Sequence, residues 1–124
     1  MSLSIVTRTL PDGVVEIAPR GEINVDSAHE VREAVGAQLA RRRTRPREIN
    51  LNLRRVRFID SVGFSALVAG FQTAEVSGVR LVITEPSRLV YRQLWSTGLL
   101  GLFGAPVPQH GEEPETQPVA GRGV

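Results

Sequence analysis

The sequence predicts one small α/β domain: a mixed sheet, opening with a hairpin and continuing in parallel strands, with helices packed mainly on one face. Three observations carry this. Short runs of β-branched residues flank the turn signal Pro11-Asp12-Gly13. A strictly alternating segment, Glu48-Ile49-Asn50-Leu51-Asn52-Leu53, follows an amphipathic helical pattern. Helical and strand patterns then alternate to the end of the apolar part of the chain, which implies parallel crossovers.

Taken in order, residues 3–10 and 14–20 read as the two hairpin strands. Gly21-Glu22-Ile23-Asn24-Val25 leads from them to Asp26-Ser27. Ser27 and Glu30 have the spacing of a capping box. Ala28, Val31, Val35 and Leu39 then recur at helical spacing, giving a helix over 27–42 that Pro46 terminates. His29 falls on its polar face. The alternating segment makes a strand over 47–53, and 54–59 reads as a loop. Phe64, Leu67, Val68 and Phe71 stand at i, i+3, i+4 and i+7 and predict a helix over 61–76, with Gly78 at its C-terminal end. Phe64 is expected to fill core. Residues 79–84 form a short apolar strand. Pro86 is expected inside the first turn of a last helix, where Val90 and Leu94 define the buried stripe, Trp95 is expected in the core, and Gly98 ends the helix.

Composition narrows the function classes. The chain has 124 residues, no cysteine and two histidines far apart, which removes disulfides, thiol chemistry and clustered metal ligands. No apolar run approaches the ~18 residues of a membrane span, and no secretory signal pattern opens the chain, so a cytoplasmic protein without membrane contact is expected. All 15 basic residues are arginine, yet the net charge is only +2. Five arginines crowd into Arg41, Arg42, Arg43, Arg45 and Arg47 with no aromatic residue among them. That pattern fits a solvated helix end better than a nucleic-acid surface. Residues 1–103 are expected to form the domain, and 104–124, punctuated by proline and glycine, a flexible polar tail.

One stretch asks for more than packing. In Arg57-Phe58-Ile59-Asp60-Ser61-Val62-Gly63-Phe64, an acidic and a hydroxyl residue interrupt an apolar run where a helix begins. Aspartate is a preferred N-cap because its carboxylate accepts orphan backbone N–H groups, and Ser61 then needs no further role. The same helix terminus equally accommodates negative charge. A phosphate on Ser61 would add close to two charges there and turn a neutral surface anionic. Ser61 lacks the setting of a hydrolase nucleophile: there is no G-x-S-x-G elbow and no phosphate-cradling G-x-x-x-x-G-K-[ST] loop.

With Gly21-Glu22-Ile23 after a hairpin, the strand at 47–53, Phe58-Ile59-Asp60-Ser61-Val62-Gly63-Phe64 and Ser96-Thr97-Gly98-Leu99, the chain resembles a STAS domain of the anti-sigma factor antagonist type over roughly residues 5–103. The resemblance implies a non-catalytic module that regulates sigma-factor-dependent transcription. Dephosphorylated, it captures an anti-sigma factor that is also a serine kinase. Phosphorylation of the serine after the motif aspartate, here Ser61, releases it, and a phosphatase acting on phospho-Ser61 resets it. No cofactor belongs to the domain; ATP and magnesium are the kinase's. The partner surface implied comprises Asn24, Asp26, Asp60, Ser61, Val62, Gly63 and Phe64. Asn24 stands where the family commonly has aspartate, Val62 where serine or threonine is usual, and Phe64-Ser65 replace leucine and glycine. Domains of this type also serve as unphosphorylated scaffold or accessory subunits, for example in lipid-transport assemblies, and Asn24 and Val62 lean that way.

Overall fold

The computed structural model describes residues 3–98. The apolar segment Leu99–Phe103 and the expected tail at 104–124 lie outside the described residues. Strand β1 (Ser4–Leu10) turns through a short 3-10 segment at Pro11–Gly13 into β2 (Val14–Ile23), and the two pair antiparallel. Helix α1 (Ala28–Leu39), β3 (Glu48–Asn52), β4 (Arg55–Ile59), α2 (Ser61–Val76), β5 (Arg80–Thr84) and α3 (Arg88–Thr97) follow. The sheet runs β1-β2-β3-β5, and β4 also pairs with β2.

β2 serves two parallel partners in succession. Val14–Ile17 pair with β3, and Arg20–Ile23 pair with β4. Pro19, which has no N–H to donate, falls in the gap between these two parallel registers.

The strand β4 replaces the loop expected at 54–59. Its register against β2 shifts between Gly21 and Glu22, which pair with Val56 and Phe58. Arg57 is therefore an extra residue, a bulge, and Gly21 accommodates it at φ 122°. The bulge places the buried residues at Val56 and Ile59, three apart rather than two, so the strand lacks the alternation that marks one.

One sheet face presents Val15, Ile17, Ile23, Ile49, Leu51, Val56, Ile59, Leu81 and Ile83 to the helices, and these form one cluster with Val31, Val35, Ala66, Leu67, Val90 and Leu94. Their burial is the main driving force of the fold, at about 25 cal/mol per Å² of apolar surface. Helices α1 and α2 pack side by side at Gly70, where a Cβ would lie 3.7 Å from Val35 Cγ2. Phe64 is partly buried against this core, as expected.

Three local expectations are corrected. Ser27 and Glu30 do not form a capping box: no side chain caps α1, because the Ser27 hydroxyl donates to Glu22 O at 2.7 Å and accepts from Asn24 N–H at 3.0 Å. Pro86 precedes the last helix instead of entering it. Ser87 is the N-cap, accepting from Val90 N–H while donating to Val56 O at 3.0 Å. Trp95 is 47% exposed, not core, because the buried positions of α3 are taken by Val90, Tyr91 and Leu94. The first helix also ends at Leu39, earlier than 42; Arg45 Nε then donates to Leu39 O at 2.9 Å, so part of the arginine run satisfies a helix end. His29 is exposed. No helix among the described residues is long and apolar enough to cross a membrane.

On the sheet face away from the helices, Glu16 is buried. Its Oε1 accepts from Arg8 Nε at 2.9 Å and Nη2 at 2.6 Å, and its Oε2 accepts from Asn52 Nδ2 at 3.1 Å. Burial pushes this carboxyl up, but the hydrogen bonds from Asn52 and Arg8, with the charges of Arg8 and Arg54, outweigh it and hold it below the ordinary value. A lowered folded-state value stabilises the fold fully above about pH 5. The contribution fades as pH falls through the lowered value. In urea titrations, wild type is expected to be more stable than Glu16→Gln at neutral pH, and the gap is expected to close on acidification; a gap independent of pH would contradict this.

Candidate functional site

The site lies where β2 and β4 end side by side. The sequence dictates its geometry through four residues, Ile23, Asp60, Asn24 and Gly63. Ile23 ends β2, and its carbonyl accepts from Asp60 N–H at 3.1 Å, so the chain after β4 is tied to the chain after β2. Asp60 is the N-cap of α2, with extended backbone (φ −91°, ψ −176°). Its two carboxylate oxygens are divided. Oδ1 accepts from Gly63 N–H at 2.8 Å, and Oδ2 accepts from Val25 N–H at 3.1 Å. One side chain thus caps a helix and fastens the neighbouring loop to it.

Asn24 shapes that loop from the other side. Its Oδ1 accepts from Asp26 N–H at 2.9 Å, an Asx turn, and its backbone carbonyl accepts from Ser27 and Ala28 at 3.1 and 2.8 Å. Asn24 is half-buried, and Val25 and Asp26 are exposed. Its side-chain oxygen is therefore engaged with backbone, and the negative charge exposed on this loop is Asp26.

Gly63 is buried, and its absent side chain matters. A Cβ there would strike the carbonyl oxygen of Ile23 and lie 2.7 Å from Ile59 Cγ2. Only glycine lets the first turn of α2 sit directly on the end of β2. Ser61, the first residue of the helix, is exposed, as is Val62 at 39%. The N–H groups of Ser61 and Val62 are among those an α-helix cannot bond internally.

The structure brings all seven sequence-predicted positions to one end of the sheet in different capacities. Ser61, Val62 and Asp26 face solvent, Asp60 and Asn24 hold the loops, Gly63 permits the close approach, and Phe64 anchors the turn against the core. Three further residues escaped the sequence reading. Val25, 66% exposed, and Phe58, 43% exposed, add apolar surface on the loop after β2 and on β4. Gln93 on α3 donates from Nε2 to Ile59 O at 2.8 Å and accepts from Ile59 N–H at 3.4 Å, so its amide pairs with the edge of β4 one residue before Asp60. A polar residue beside Leu94 in the buried stripe was the available signal for Gln93. Val25 carried none, because the bond that ties it to Asp60 is made by its backbone N–H.

Asp60→Ala is expected to destabilise the fold by about 1–2 kcal/mol through the lost cap. It should also speed amide exchange at both Val25 and Gly63. Asp60→Asn keeps a single carboxamide oxygen and should protect only one of the two amides. Unchanged exchange at Val25 in the alanine variant would show that Asp60 does not hold the loop.

Comparison with known proteins agrees with this fold. The family model described as "STAS domain" matches residues 6–113. No curated protein matches the chain. Among solved structures, it is similar to an anti-sigma factor antagonist from Mycobacterium paratuberculosis, at 23% identity and TM-score 0.73 over 87% of this chain and 88% of that one. It is also similar to the Bacillus cell fate determinant SpoIIAA in its phosphorylated form, at 18% identity and TM-score 0.63 over 86% and 94%. A sulfate transporter family protein from Wolinella succinogenes aligns at 25% identity and TM-score 0.64 over 78% and 76%. With a family model spanning nearly all of the described residues and a five-stranded, three-helix architecture shared with these structures, the chain belongs to the STAS domain family.

Proposed function

We propose that this domain is an anti-sigma factor antagonist: a non-catalytic cytoplasmic module that binds an anti-sigma factor serine kinase while Ser61 is unmodified and is released when that kinase phosphorylates Ser61. A phosphatase acting on phospho-Ser61 restores binding, and the cycle sets sigma-factor-dependent transcription. The observation that carries this reading is the exposed Ser61 hydroxyl at the first position of α2, beside an N-cap whose carboxylate is already committed to Gly63 and Val25. A phosphate added there meets helix N–H donors rather than packed side chains, so the modification changes the surface without repacking the core. Val62, Val25 and Phe58 supply the apolar part of the contact and Asp26 the acidic part. Similarity to an anti-sigma factor antagonist and to a protein solved in a phosphorylated form supports the assignment.

A second reading, an unphosphorylated scaffold or accessory subunit, is favoured by Val62, by Asn24 committing its side-chain oxygen to its own turn, and by the likeness to a sulfate transporter family protein. Affinity purification from the source organism separates the two. The first reading expects an anti-sigma serine kinase to co-purify. Recovery of a membrane transport assembly in its place would favour the second.

A further inference from the structure

The sheet face opposite the helices carries a concavity of about 450 Å³ where β1, β2 and the start of β4 meet. Its walls hold four guanidinium groups, Arg8, Arg20, Arg54 and Arg55, against one carboxylate, Glu16. That carboxylate is spent: both of its oxygens are occupied, by Arg8 and Asn52. Arg54 makes a long ion pair with the half-buried Glu85, at 4.0 Å. Arg20 and Arg55 have no acidic partner within 4 Å among the described residues, and they stand directly opposite each other in the β2–β4 register. Adjacent strands are about 4.8 Å apart. Like charges placed opposite one another across a ladder oppose its pairing. The cost disappears when a doubly charged oxyanion lies between them, because two planar forks can then each donate to it.

We propose that this concavity binds a small soluble phosphate monoester, with Arg20 and Arg55 clamping the phosphate, Arg54 adding charge at the rim, and the carbon skeleton resting over Ala18 and Pro19. A phosphate monoester carries close to two negative charges at neutral pH, matching the two unpaired guanidiniums. The volume falls in the range of about 300–1,000 Å³ typical of small-molecule sites, and the floor between the arginines is uncharged. Arg55 begins β4 and Ser61 lies beyond its other end, so this site is separate from the switch and does not rest on the proposed function.

The test is a titration of the full-length protein with glucose 6-phosphate, followed by amide and arginine Nε chemical shifts, with glucose as the control. Saturable shifts at Arg20, Arg55 and Ala18 are expected for the ester, with a Kd near about 1 mM or tighter. None is expected for glucose. Arg20→Gln/Arg55→Gln should weaken binding by about tenfold or more; circular dichroism confirms that it folds. The single variant Arg55→Lys, which keeps charge but loses the fork, should bind more weakly than wild type. Absence of saturation, or equal affinity in the Gln/Gln variant, overturns the proposal. So does binding seen only after Glu112→Gln/Glu113→Gln/Glu115→Gln, which would make the chain's own acidic run the occupant.

Discussion

Gly63→Ala is expected to be the most damaging single-methyl change in the domain. The added Cβ would collide with the Ile23 carbonyl oxygen and sit 2.7 Å from Ile59 Cγ2. The first obstacle is backbone at the end of a central strand, so it cannot rotate away, and relief requires α2 to lift from β2. Overpacking of a core typically costs about 1–3 kcal/mol, and an obstacle that cannot move puts this case at the upper end. For a domain of this size each kcal/mol lowers Tm by about 4–8 °C, so a fall of more than about 10 °C is expected. Gly36→Ala is the internal control. That glycine is exposed within α1 and a Cβ there would meet nothing within 4 Å. Helix propensity alone then acts, and a gain of about 0.5–1 kcal/mol is expected. Thermal unfolding of the two variants should move Tm in opposite directions. A neutral Gly63→Ala would mean that α2 is not seated on Ile23 as described.

The second large effect is on binding rather than stability. Ser61→Glu places a carboxylate at the first turn of α2, where the helix terminus tolerates negative charge, so its Tm should stay within about 2 °C of wild type. Its affinity for the proposed kinase partner should nevertheless fall by about a hundredfold. Placing a charge in a desolvated contact with no partner costs a few kcal/mol, and 2.7 kcal/mol corresponds to that factor. The contrast between the variants is the useful part. Gly63→Ala weakens binding by loosening the platform, whereas Ser61→Glu weakens it with the platform intact. Val62→Thr places a second hydroxyl beside Ser61 at an exposed position and should leave the fold unchanged. An unaltered affinity in Ser61→Glu would remove the serine from the interface.

The elements differ in how plainly the sequence announces them. The limits of α2 can be read to the residue because Asp60 caps it, Gly78 follows it and its apolar positions keep a 3.6 period. The alternating β3 and the Pro11-Asp12-Gly13 turn are equally legible. β4 is not, because the bulge at Arg57 breaks the period of two and three arginines in four residues from 54 to 57 imitate a loop. Trp95 misleads for a related reason: hydrophobicity identifies residues able to be buried, while the buried positions of α3 are taken by Val90, Tyr91 and Leu94. Within the site, Asp60, Ser61 and Gly63 were visible as a motif. What joins them to the 24–26 loop was not, since the link from Asp60 to Val25 N–H spans 35 positions and its acceptor's target is backbone. Ser27 shows the same limit. Its capping-box spacing was sound, yet its hydroxyl serves Glu22 O and Asn24 N–H, a tertiary choice that local pattern does not reveal.

The proposed switch requires Ser61 to be the residue that takes the phosphate. The direct measurement is intact mass after incubating wild type and Ser61→Ala with ATP, magnesium and each anti-sigma kinase of the source organism in turn. Addition of one phosphate to wild type and none to Ser61→Ala is the predicted result, and the kinase that delivers it is the partner. A stable complex with a kinase that leaves wild type unmodified, or a phosphate that persists in Ser61→Ala, would contradict the switch.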